Sequence, residues 1–168
     1  MKTLVAEVRP ALVRDAVALA RVHEVTWRHA YAGLIPHRAL RAMIERRGAG
    51  WWARAIRNGA TILVMEYGGE IVGYATLGRN RTRALSPDGE IYELYLAPRF
   101  QGLGFGRRLF ESCRTLLRAR GLSGVAVWSL SDNDNAMRFY RALGGCDVAV
   151  GSETFDDVTL GKTAYTFL

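Results

Sequence analysis

Leu94-Tyr95-Leu96-Ala97-Pro98-Arg99-Phe100-Gln101-Gly102-Leu103-Gly104-Phe105-Gly106 is the stretch that decides how this chain folds. An apolar strand, Glu90 to Leu96, is closed by Pro98, and a helix opens beyond the glycines. That helix runs from about Gly104 to Arg120 with Leu109, Cys113, Leu116 and Leu117 on one stripe, and Gly121 ends it. Glycines between a strand and a helix let backbone N–H groups approach an anion with no Cβ in the way. The helix start adds unpaired donors and about half an elementary charge of positive sign. Arg107 and Arg108 stand in the first turn, where a cation opposes the helix dipole, a placement that makes sense if an anion sits there. A Walker loop needs Gly-Lys-Ser/Thr at its end, and Gly106-Arg107-Arg108 does not supply it. A dinucleotide fingerprint needs glycine at position 107 and an acid about 20 residues on. Position 107 is Arg, and the next strand ends in Val127-Trp128-Ser129.

Working outward, Leu4, Ala6 and Val8 alternate with polar neighbours as a first strand ending near Arg9-Pro10. Helical spacing from Arg14 to Tyr31 predicts a first helix stopped at Ala32-Gly33, with helical stretches at His37–Ile44 and Trp51–Ile56 after it. Thr61–Tyr67 and Ile71–Leu77 flank Gly68-Gly69 and predict a hairpin. Downstream of the glycine block, Val125–Trp128 reads as a strand and Asn133–Leu143 as a short helix. Closing strands fall near Asp147–Val150 and Thr163–Phe167. This order of hairpin strands followed by strand–helix–strand predicts a mixed sheet covered by helices.

The 168 residues carry a net charge of +7. The arginines are scattered rather than run together, and no nucleic-acid-binding motif accompanies them, so no nucleic-acid partner is predicted. No apolar run approaches the roughly 20 residues that a membrane span needs. Met1–Val8 is too short and interrupted for a signal peptide, which predicts a cytoplasmic protein. Cys113 and Cys146 form no CxxC pair, and His23, His29 and His37 have no metal-ligand spacing, so no metal is expected.

Two ordered blocks carry a family resemblance. The quoted block resembles the acyl-CoA signature of the GNAT superfamily of N-acetyltransferases, Gln/Arg-x-x-Gly-x-Gly/Ala, matched by Gln101, Gly104 and Gly106. One helix and one strand later, Asn133-Asp134-Asn135-Ala136-Met137-Arg138-Phe139-Tyr140 resembles the family's Asn-x-x-Ala-x-x-Phe-Tyr. The segment from Arg9-Pro10 through Trp27, Tyr31, Gly33 and Pro36 is similar to a common small-enzyme branch. The resemblance implies one α/β (α+β) domain over residues 1–168, with a mixed, mostly antiparallel sheet of about seven strands and about four or five helices. It implies acetyl-CoA as co-substrate and direct attack on it, in a ternary complex, by a primary amine of a small molecule or peptide. Homodimers are common in such proteins. The alternative is a catalytically silent acyl-CoA-binding sensor or regulatory module.

Residue by residue, the resemblance assigns cofactor contacts to Leu94, Tyr95 and Leu96, to Gln101, Gly102, Leu103, Gly104, Phe105, Gly106 and Arg107, and to Asn133. The strand holding Leu94 and Leu96 is expected to splay from its neighbour, leaving backbone groups for the pantetheine amides. Tyr140 matches the family tyrosine that protonates the departing thiolate; its other reading is an aromatic ending a core stripe. Asn133 also reads as a helix N-cap. Glu90 and Glu93 are the candidate bases, on opposite faces of a regular strand unless a bulge intervenes, and either reads equally as solvated or paired with arginine. Trp27 and Tyr31, with Trp51 and Trp52, are candidate acceptor-pocket aromatics against a core-packing reading. Glu153, Asp156 and Asp157 read as a solvated acidic loop.

Overall fold

The computed structural model describes residues 4–168. Along the chain lie β1 (Ala6–Pro10), α1 (Ala16–Tyr31), α2 (His37–Arg46), α3 (Ala49–Arg57), β2 (Ile62–Tyr67), β3 (Glu70–Arg79) and β4 (Gly89–Leu96). They are followed by α4 (Phe105–Ala119), β5 (Val125–Leu130), α5 (Asp134–Ala142), β6 (Cys146–Phe155) and β7 (Val158–Phe167). The seven strands form one sheet in the order β1-β2-β3-β4-β5-β7-β6. Every pairing is antiparallel except β4 with β5.

The hairpin at Gly68-Gly69 forms as expected, both glycines lying at positive φ (60° and 81°). Strand β2 is buried on both faces, so its apolar residues run without a break. Leu63 and Met65 pack with Leu109, Phe110, Cys113 and Leu117 of α4. Ile62 and Val64 pack on the opposite face with Leu19, Val22 and Trp52 of α1 and α3. A third cluster joins the end of α1, through Trp27 and Tyr31, to α2 and to Leu130 and Phe155. Both cysteines are free, and burial pushes the Cys113 thiol up to about 12.

Two sequence expectations are corrected. The first helix does not start at Arg14: Val13–Asp15 form a separate 3-10 turn, because the Asp15 carboxylate turns back to accept from Leu12 N (2.7 Å) and the Arg9 guanidinium (2.8 and 3.0 Å). The closing strands are each ten residues long, and the acidic cluster is no loop. Glu153 lies within β6, while Asp156-Asp157 make the turn, Asp156 with φ 53°. β6 is an edge strand, exposed along nearly its whole length, so it carries little of the apolar alternation that marks a strand in sequence. Of the two readings open for Trp52, core packing holds: it is wholly buried in the α1–α3 cluster, with Trp51 packed beside it.

His23 is fully buried among the rings of Trp27, Trp52 and Tyr74, and among the described residues neither of its ring nitrogens has a hydrogen-bond partner. Burial, helped by the nearby Arg47 charge, lowers its pKa from 6.5 to about 3. The unfolded chain therefore takes up this proton at a higher pH than the folded one. The stability held by neutral His23 is complete above about pH 6.5 and is lost as pH falls toward 3. Denaturant unfolding between pH 7 and 4 should show wild-type stability dropping faster than that of His23→Leu, by up to about 1.4 kcal/mol per pH unit. Parallel pH profiles would remove His23 as the cause.

Candidate active site

Strand β4 and strand β5 are paired only at Gly89–Val125, Glu90–Ala126 and Ile91–Val127. Beyond Ile91 they part. On its other edge β4 stays paired with β3 as far as Leu96. The carbonyl of Tyr95 points toward β3, 2.7 Å from where a Gly73 Cβ would be, and Ala97 N donates to Val72 O across the same edge. Backbone groups alternate along a strand, so those of Leu94 and Leu96 face the opening, as the sequence reading anticipated.

A cavity of about 550 Å³ occupies this opening. Leu94, Tyr95, Leu96, Gln101, Gly102, Gly104, Gly106 and Arg107 line one side, and Asn133, Ala136, Phe139 and Tyr140 the other. Gly102 and Gly104 have φ of 77° and 83°, so the turn into α4 is left-handed twice and suits glycine at both places. No side chain caps α4, which leaves its first N–H groups for a ligand. Gly106 lets α5 approach: a Cβ there would lie 2.9 Å from Phe139 Cε2.

The side chains divide the work differently from what the sequence suggests. Gln101 is a brace, its Nε2 donating to Leu96 O (3.1 Å) and its Oε1 accepting from Asn135 Nδ2 (3.2 Å). Asn133 caps α5, accepting from Ala136 N at 3.2 Å, and also lines the cavity. Arg107 lines the cavity, whereas Arg108 turns away to donate to Ala6 O at 2.9 Å. The Leu103 side chain is exposed, Phe105 packs against Tyr67 and Phe100, and neither residue is part of the cavity lining, unlike the glycines beside them. Tyr140 is buried against Phe139 and Tyr165, and among the described residues its hydroxyl has no hydrogen-bond partner. Burial raises its pKa well above the ordinary tyrosine value, so it stays protonated at neutral pH.

A second cavity, about 430 Å³, is lined by Trp27, Tyr31, Glu90, Glu93, Trp128, Glu153 and Lys162 among others. Tyr95 lines both cavities. Its hydroxyl is hydrogen-bonded to that of Tyr31, so this tyrosine pair stands where the two meet. Glu90 and Glu93 both reach the second cavity because the β3–β4 register skips Tyr92, a bulge that removes the opposite-face arrangement of a regular strand. Glu90 is almost fully buried and held by Arg81 through its backbone N (2.9 Å) and guanidinium (2.8 Å). Glu93 is paired with Arg47 and accepts from Tyr74 OH (2.8 Å), which in turn accepts from Trp27 Nε1 (3.1 Å). Trp27 and Tyr31 line this cavity; Trp51 and Trp52 do not, and Trp51 instead carries the Arg47 guanidinium 4.5 Å above its ring. Sequence reasoning missed Arg47, Tyr74, Trp128 and Lys162, which no motif or spacing ties to the glycine block.

The family model described as the Acetyltransferase (GNAT) family matches residues 18–144. The chain belongs to this acetyltransferase family. Within the family it is 30% identical to the uncharacterized N-acetyltransferase YuaI of Bacillus subtilis over 135 residues, 80% of this chain and 77% of that one. The PaiA N-acetyltransferase of Thermoplasma acidophilum, solved in complex with coenzyme A, has the same fold, with TM-score 0.74 at 18% identity over 94% of this chain and 98% of that one. So does YncA of Salmonella typhimurium, solved with acetyl-CoA, with TM-score 0.70 at 22% identity over 96% and 92% of the two chains. The GNAT match spans the glycine block, the parted strands and α5, the three features that build the first cavity.

Proposed function

We propose that this GNAT protein transfers the acetyl group of acetyl-CoA to a primary amine of a small molecule or peptide, by direct attack in a ternary complex. The observation that carries the reading is the meeting of two cavities at Tyr95, one built for an anionic, amide-bearing donor and one lined by aromatics and carboxylates. The residues present fit the donor. Its pyrophosphate suits the uncapped start of α4, the left-handed glycines and Arg107. Its pantetheine amides suit the open edge at Leu94 and Leu96, where Leu96 O already accepts from Gln101, and its thioester would then lie near Tyr140 and Tyr95.

In the transfer a C–N bond forms, the C–S bond breaks, the amine gives up a proton and the thiolate takes one. Tyr140, kept neutral by burial, donates its O–H toward the sulfur as negative charge develops there. On the amine side Glu93 is better placed than Glu90. It lies two residues from Tyr95, and its side chain keeps 11% exposure against 2% for Glu90. The Glu93 carboxylate accepts the amine proton directly or through water, while Arg47 and Tyr74 hold its position. Glu90, bound on both oxygens by Arg81, keeps the bulge and the loop after β3 in place.

Free-thiol release from acetyl-CoA with a panel of primary amines tests the activity itself. Tight acetyl-CoA binding without turnover on any amine would favour a silent binding module. Tyr140→Phe should lower kcat by about a hundredfold or more, with acetyl-CoA affinity changed less than about twofold. An unchanged kcat would take Tyr140 out of the acid role. Gly104→Glu should abolish coenzyme A binding measured by calorimetry. Gly104→Ala, whose Cβ meets nothing within 4 Å, should retain most of the binding despite the strain of positive φ. Equal binding by both variants would refute the cradle.

A further inference from the structure

The charged groups around the second cavity are not equivalent. Glu90 is matched by Arg81 and Glu93 by Arg47. Lys162 is different: it is half-buried, and among the described residues no carboxylate stands within ion-pair distance of it. Its place on the sheet is well determined. It lies directly across from Leu130 of β5, which lines the same cavity, and across from Gly151 of β6. Its ammonium sits 4.8 Å from the centre of the Trp128 ring, and Trp128 is itself held by Nε1 donating to Thr82 Oγ1 at 3.2 Å. A Cβ on Gly151 would press on both, 3.3 Å from Lys162 Cε and 3.4 Å from Trp128 Cζ3. The indole face and the bare glycine thus form a seat that holds one cation at the cavity wall.

A half-buried lysine with its ammonium on an aromatic face has only a modest cation–π contact to balance its charge. An incoming carboxylate would add a charge-assisted hydrogen bond. Building on the amine transfer proposed above, we propose that Lys162 binds a carboxylate of the acceptor, so that the preferred acceptors are amino acids. Trp27, Ile35, Met43 and Phe155 in the same cavity favour an apolar side chain. Glu153, one step along the same sheet face and exposed, suits the ammonium form in which a zwitterion arrives. Polyamines, which bring only positive charge, meet Lys162 and Arg81 unfavourably.

Matched pairs of L-leucine with L-leucinamide and L-phenylalanine with L-phenylalaninamide isolate the carboxylate. The amides carry the less basic amine and so offer more neutral nucleophile, which means that a preference for the acid cannot come from intrinsic reactivity. Wild type should favour the acids at least tenfold in kcat/KM. It should favour them likewise in calorimetric binding with coenzyme A present. Lys162→Met, which keeps the stem and removes the charge, should bring the acid-to-amide ratio close to one, and Lys162→Arg should retain most of the preference. A wild-type ratio near one, or a ratio that Lys162→Met leaves intact, would overturn the assignment. Acid-selective binding that is lost in Lys162→Met supports it even where no amine is turned over, an outcome that instead sinks the proposed transfer.

Discussion

The parting of β4 from β5 after three paired residues is the constraint on which the site depends. A strand edge inside a protein must find partners for its N–H and C=O groups or leave them to a ligand. Here β3 pairs along one edge of β4 except at the Tyr92 bulge, and beyond Ile91 the other edge opens on the first cavity. The parting survives because both strands are anchored elsewhere. β5 is fully paired with β7, and the brace from Gln101 to Leu96 O and Asn135 spans the mouth of the opening. Closing the gap would pair backbone with backbone but eliminate the first cavity, whose lining includes Tyr95 of the second.

The bulge at Tyr92 works with the same opening. It adds one residue to β4 against β3 just beyond the last residue that pairs with β5. A bulge changes which face later side chains take, and this one brings Glu93 onto the cavity that already holds Glu90. Two carboxylates so close would repel if left bare. Each has its own arginine, Arg81 carried on the Tyr92 ring at 4.0 Å and Arg47 on Trp51 at 4.5 Å. Glu90 and Glu93 are thereby matched, which leaves Glu153 and Lys162 as the charged residues of this cavity with no ion pair among the described residues.

How much was legible in the sequence follows from how local each feature is. The cradle needed only neighbouring residues: glycines at 102, 104 and 106, a strand before them and a helix after. Tyr140 and Asn133 were legible for the same reason, since both lie in one short helix whose spacing is visible in the chain. The hairpin at Gly68-Gly69 carried its own turn chemistry. Strand β6 was underestimated because an edge strand with most of its residues exposed has no apolar period to read. The separate turn before α1 was hidden because it depends on Arg9 reaching Asp15 across six positions. Trp52 could not be told from a pocket residue by type alone, since a tryptophan fills a core and lines a cavity with equal ease.

The second cavity was the least legible part, and its construction explains why. Its walls come from α1, α2, β4, β5, β6, β7 and the loop after β3, so most of its contacts join residues far apart in sequence. Arg47 reaches Glu93 across 46 positions, Tyr31 meets Tyr95 across 64, and Trp128 is bonded to Thr82 across 46. The first cavity, by contrast, is lined mainly by one strand–turn–helix and α5, with Thr26, His29 and Ala30 of α1 added. Lys162 and Trp128 follow the pattern of the second cavity: Lys162 lies on β7, outside the residues that the family model matches, and meets the Trp128 ring of β5 only because the sheet brings the two strands together.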